Sequence, residues 1–186
     1  TQVVISGAKR EAAAVVAAME AEGIRAAWLP VSHAFHSPLL EPMLDKFEEV
    51  GAQVVFKRQR IGLISNLTGA LATDHEFQSA AYWRMHARQP VEFVRAMTTL
   101  AAQGIRTFLE VGPAPTLVSL GRQIVSSEDA VWLPSPRSGK GDWVTLLESL
   151  ARLYVNGASV DWDAFDRDHS RHKVGLPTSP FQRQRY

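Results

Sequence analysis

Along the chain, short apolar runs alternate with stretches in which apolar residues recur every three or four positions. Val3-Val4-Ile5 opens the pattern and predicts a strand over 1–6. Ser6-Gly7 then starts a helix with Ala12, Val15, Val16 and Met19 on one face and Gly23 as its stop. A second strand is expected over 25–30, giving a strand–helix–strand unit of parallel type. Leu40, Met43, Leu44 and Phe47 have helical spacing, so a helix with a buried face should run to about residue 50. Short strands are expected over 53–56 and 61–64. Ser65-Asn66-Leu67-Thr68-Gly69 reads as a turn-rich loop.

Thr73-Asp74-His75-Glu76 has the form of a capping box opening a helix through about Met85. Pro90 ends that stretch, and Phe93, Ala96, Met97 and Leu100 mark the next helix, stopped by Gly104. A strand over 105–111, a helix over 115–126 and a strand over 131–133 complete an α/β alternation with a mainly parallel sheet. The run Pro134-Ser135-Pro136-Arg137-Ser138-Gly139-Lys140-Gly141 reads as a linker. After it, Val144, Leu147, Leu150, Ala151 and Tyr154 predict an amphipathic helix with those residues inward. The end, Leu176-Pro177-Thr178-Ser179-Pro180-Phe181-Gln182-Arg183-Gln184-Arg185-Tyr186, is expected to be extended and to lie against a neighbouring domain.

Composition narrows the function classes. The 186 residues are 46% hydrophobic and 21% charged, which suits a globular chain with a core. A net charge of +1 favours neither nucleic acid nor membrane as partner. The absence of cysteine removes disulfides, thiol nucleophiles and thiolate metal sites, and fits a cytoplasmic setting. No apolar run approaches the roughly 20 residues of a membrane span.

The chemistry centres on Val31-Ser32-His33-Ala34-Phe35-His36-Ser37-Pro38. Ser37 can cap the following helix and Pro38 suits its first turn. His36 therefore lies in the field of unpaired N–H groups, which favours the neutral imidazole that a general base needs. No Gly-x-Ser-x-Gly elbow supplies a nucleophile; Ser159, in Gly157-Ala158-Ser159-Val160-Asp161, lacks the final glycine. The pairs His33/His36 and His169/His172 have no evident third ligand, so no metal site is expected. His75 and His86 read as surface residues, and Asn66 as a turn residue. Gly112-Pro113 is equally compatible with a functional loop and with a plain strand-to-helix turn.

Taken together and in order, the 31–43 motif, Ser65 to Gly69, Tyr82-Trp83 followed by Arg88-Gln89-Pro90-Val91-Glu92-Phe93, the 109–113 run and the 176–186 end closely resemble the C-terminal half of an acyltransferase domain of a modular type I polyketide synthase, with its following linker. The resemblance implies part of an α/β-hydrolase-like core, part of a ferredoxin-like small subdomain over 1–31, the large subdomain over 32–133, and an extended C-terminal linker over 134–186. It implies ping-pong transfer of a malonyl extender unit from coenzyme A to the phosphopantetheine thiol of an acyl carrier protein, with no permanently bound cofactor.

In that family the second histidine of the motif is the base, here His36. A backbone carbonyl near the Ser-Asn loop, pointing to Asn66, holds its other ring nitrogen. His33 and Phe35 match the form associated with malonyl rather than methylmalonyl units. The serine, its oxyanion donor and the carboxylate-binding arginine are expected upstream of Thr1. The chain by itself should then be inactive and depend on the N-terminal half, the carrier protein and, through the linker, a ketosynthase. The competing expectation is a non-catalytic remnant that serves as a docking scaffold.

Overall fold

The computed structural model describes residues 2–135, 141–170, 172, 174–178, 180, 181 and 184. Most of the expected linker and much of the closing motif fall outside them. Helix α1 spans Lys9–Ala21, α2 Glu41–Gly51, α3 Ala80–Arg88, α4 Phe93–Ala102 and α5 Thr116–Ile124. Helices α6, Asp142–Val155, and α7, Trp162–Asp166, follow. Strands β1, Thr107–Glu110, and β2, Val131–Pro134, pair in parallel, with Thr107 opposite Val131 and Glu110 opposite Pro134.

The core sits where α4 and α5 cover this sheet. Met97, Val118, Val125 and Trp132 form its buried cluster, with Phe93, Leu100 and Phe108 against it. The Phe108 and Trp132 rings stack with centroids 4.3 Å apart. Gly121 makes the close approach of α5 possible, since a Cβ there would lie 2.5 Å from the Trp132 ring. Glu110, at the end of β1, turns its carboxylate onto the start of α5, accepting from Leu117 N at 2.9 Å and Val118 N at 2.8 Å. The Gly112-Pro113 turn therefore joins a strand to a helix whose unpaired N–H groups are satisfied by a charge of the favourable sign.

Helix α6 turns a different face inward from the one its apolar spacing suggests. Thr145 and Ser149 are buried, whereas Val144, Leu147 and Tyr154 are exposed and Leu150 only half-buried. The reason lies in β2. Its Val131 and Ser135 N–H groups face β1, so the Trp132 and Pro134 carbonyls point away from the sheet. Ser149 Oγ donates to Pro134 O at 2.6 Å and Arg152 donates to Trp132 O at 3.3 Å. A polar stripe thus covers the strand edge.

A second packed unit holds α2 and α3 side by side. Arg88 pairs with Glu41, and Arg84 with Asp45 and Glu48, so the helices run antiparallel. Leu40, Leu44 and Tyr82 are buried within this unit. The expected capping box at Thr73 does not form; a 3-10 turn over Glu76–Gln78 precedes α3, and Ser79 caps the helix by accepting from Tyr82 N at 3.1 Å.

The strands expected over 1–6, 25–30, 53–56 and 61–64 are absent among the described residues; only an isolated antiparallel bridge, Ile64 to Leu71, marks the last region. A strand is held by a neighbour's hydrogen bonds, and apart from Ala72 N donating to Leu63 O at 2.9 Å beside that bridge these segments have no pairing neighbour among the described residues. Helix α1 forms with Ala12, Val16 and Met19 half-buried, but it has no buried residue and contacts no other element. Val3, Val4, Trp28 and Leu29 stay exposed around it.

Candidate active site

The site is assembled where the end of α3 meets the turn before α2. Pro90 disfavours a helical Gln89, and Gln89 is extended, at φ −82° and ψ 155°. Its carbonyl therefore leaves the helix ladder. The carbonyl at Ala87, in the last turn, has no helical partner because the chain leaves the helix at Gln89. His36 meets both: its backbone N–H donates to Ala87 O at 3.3 Å, and its Nδ1 lies 2.7 Å from Gln89 O. To make these contacts His36 takes a left-handed backbone, φ 60°. That conformation costs about 1–2 kcal/mol for a residue with a side chain, and here the surrounding hydrogen bonds hold it.

A carbonyl oxygen can only accept. The Nδ1 contact therefore requires Nδ1–H, so in the neutral ring the lone pair is on Nε2. This is the tautomer of a general base, obtained without a carboxylate partner. Directly after it, Ser37 is buried, donates to Ala34 O at 2.7 Å and accepts from Leu39 N at 3.2 Å. Ser37 and Pro38 thus open the 3-10 turn Pro38–Leu40, which continues into α2.

The expected carbonyl partner is corrected by this geometry: Gln89, not Asn66, holds the His36 ring. The Asn66 carbonyl is already used, accepting from Glu92 N at 2.8 Å. Asn66 instead turns its side chain to a different histidine, donating from Nδ2 to His86 Nε2 at 3.3 Å. The loop carrying it is tightly held. Ser65 is fully buried, its Oγ lies 3.2 Å from the Tyr82 hydroxyl, and Gly69 has φ 66° with no room for a Cβ beside Arg95. Burial pushes the Tyr82 phenol above its ordinary pKa.

His86 is not the surface residue its polar neighbours suggest. It is half-buried, at right angles to His36 with ring centroids 6.0 Å apart, and in contact with the rings of Tyr82 and Trp83. Burial, and then the nearby His36, lower its pKa below the ordinary 6.5. The available signals were its position one helical turn beyond Tyr82 and three residues before Gln89.

His33 and Phe35 form a separate pair beside this centre, with ring centroids 6.0 Å apart; Ser32 Oγ lies 2.8 Å from His33 Nδ1, and Phe35 is 50% exposed. His75 and Ser159 are exposed. Among the described residues no three histidine or acidic side chains gather as a metal site, and no helix is long and apolar enough to cross a membrane. An open groove of about 590 Å³ lined by Arg122, Glu128, Trp132 and Arg152 contains none of the predicted site residues.

Residues 1–160 match the family model described as "Acyl transferase domain". The chain is 42% identical, over 99% of its length, to the spectinabilin polyketide synthase system protein NorB of Streptomyces orinoci, and spans 9% of that protein. Its structure is similar to the acyltransferase domain from the second module of the salinomycin polyketide synthase, with a TM-score of 0.79 and 32% identity, over 92% of this chain and 40% of that one. It is also similar to the acyl transferase domain of SpnD in complex with 2-(pent-4-yn-1-yl)malonyl, with a TM-score of 0.77 and 27% identity, over 81% of this chain and 38% of that one.

Proposed function

Because the chain belongs to the acyl transferase domain family, in the form found in polyketide synthases, we propose that it carries the general base of a malonyl transferase. His36 Nε2 takes the proton of a serine hydroxyl supplied by a segment outside this chain. The serine attacks the malonyl thioester of coenzyme A, and the imidazolium protonates the departing thiolate. In the second half His36 deprotonates the phosphopantetheine thiol of an acyl carrier protein, and the thiolate takes the malonyl group from the serine. The proton then returns to the serine oxygen as it leaves.

The observation that carries this reading is the 2.7 Å contact of His36 Nδ1 with Gln89 O, which leaves Nε2 as the proton acceptor. Uncovered apolar residues at Val3, Val4, Trp28 and Leu29 support a missing covering segment. In this reading 1–31 belongs to the small subdomain, 32–133 to the large one, and 134–186 to the linker that meets a ketosynthase. Phe35 limits the acyl group: a ring beside the α-carbon leaves little space for a substituent. One excluded methyl is worth about 1–3 kcal/mol, so Phe35 and His33 set a preference for malonyl.

The test reassembles this chain with the serine-bearing segment and supplies malonyl-CoA. A malonyl adduct on the serine by intact mass, lost in His36→Ala, is the expected result. No adduct on the unaltered complex would overturn the enzymatic reading and leave the docking scaffold.

A further inference from the structure

The His36 ring has one described hydrogen bond, to Gln89 O, and the described residues give it no carboxylate. A single neutral hydrogen bond leaves the imidazole free to rotate about its Cβ–Cγ bond. Yet a base that takes and returns a proton in each half-reaction must keep Nε2 aimed at one point. The ring beside it is that of His86, which stands at 86° to the His36 ring with centroids 6.0 Å apart.

His86 is itself fixed from three sides. Its ring stacks on Tyr82 at 23°, meets Trp83 at 68°, and accepts from the Asn66 amide at Nε2. We propose that His86 is a positioning residue for His36, a neutral aromatic wall that holds the base ring in one rotamer and one tautomer, and that the Asn66 side chain acts by holding His86. The inference rests on the reading of His36 as the base.

Neutrality is built in. A protonated His86 would place an Nε2–H against the amide N–H₂ of Asn66, donor against donor. It would also set a second cation beside the imidazolium that His36 becomes in each half-reaction. Burial of His86 acts in the same direction.

The experiment uses the reassembled malonyl transferase and two variants of similar bulk, His86→Phe, which keeps a ring, and His86→Gln, which keeps an acceptor for Asn66. Single-turnover acylation by malonyl-CoA gives the rate and KM, and imidazole nitrogen NMR reads the His36 tautomer. In His86→Gln the acylation rate should fall about tenfold with KM unchanged, and both His36 tautomers should appear. His86→Phe should keep one tautomer and a rate within about threefold of the unaltered protein. Asn66→Ala should slow the histidine protein and have no further effect in His86→Phe. A His86→Gln variant with full rate and a single tautomer overturns the wall, as does a His86→Phe variant that behaves like His86→Gln. Either result with His36→Ala inactive leaves the base reading standing. Acylation that survives His36→Ala overturns the base reading instead.

Discussion

At the scale of single residues, the site depends on backbone as much as on side chains. Gln89 contributes a carbonyl, so Gln89→Ala should leave acylation within about twofold, whereas His36→Ala should abolish it; single-turnover rates distinguish the two. If Phe35 sets the proposed malonyl preference, Phe35→Ser should admit methylmalonyl-CoA and narrow that preference by about 1–3 kcal/mol in competition assays. His86 gives the site a pH signature. Its folded pKa lies below the ordinary 6.5, so the unfolded chain binds more protons in the interval between the two values. Stability therefore rises with pH through that interval: the contribution is fully present above 6.5 and lost as pH falls through the folded value. Thermal melts across this range should show the slope, and His86→Phe should flatten it. His36 was legible because its motif is contiguous in sequence. His86 was not, because its contacts with His36, Asn66 and Trp83 join three separate parts of the chain.

At the scale of elements, local signals succeeded where the interaction they describe is local. Pro90 ends α3, and α4 buries Ala96 and Met97 of its expected face, whereas of the face expected for α2 Leu40 and Leu44 are buried and Met43 and Phe47 stay exposed. They failed where a neighbour decides the outcome. The face of α6 was misjudged because the outward carbonyls of β2 demand donors, and Ser149 and Arg152 supply them. Ser149→Ala strands a buried carbonyl and should destabilise the domain by about 1–3 kcal/mol in denaturant unfolding. Glu110→Ala removes the carboxylate from the start of α5 and should cost about 0.5–2 kcal/mol by the same measurement.

At the scale of the whole molecule, the described chain contains a packed part and an open part. Helices α4, α5 and α6 enclose the β1–β2 pair, and α2 packs on α3, while α1 touches no other element. Amides of 2–31 should accordingly exchange quickly in the chain alone and slow by more than about tenfold once the proposed serine-bearing segment binds; exchange mass spectrometry reads this.

The residue sequence by itself determined the elements whose causes are near neighbours: the proline that ends α3, the serine, Ser37, that caps the turn before α2, the helical stripe of α4, and the contiguous His33-Ala34-Phe35-His36 motif. Tertiary structure decided what depends on residues far apart along the chain. It chose Gln89 rather than Asn66 as the partner of His36, brought His86 beside His36, and turned the polar face of α6 onto β2. It also left the segments before residue 31 without strands. A helix satisfies its own hydrogen bonds and can be read from its sequence. A strand, a base and an edge carbonyl are completed only by a partner whose position the fold must supply.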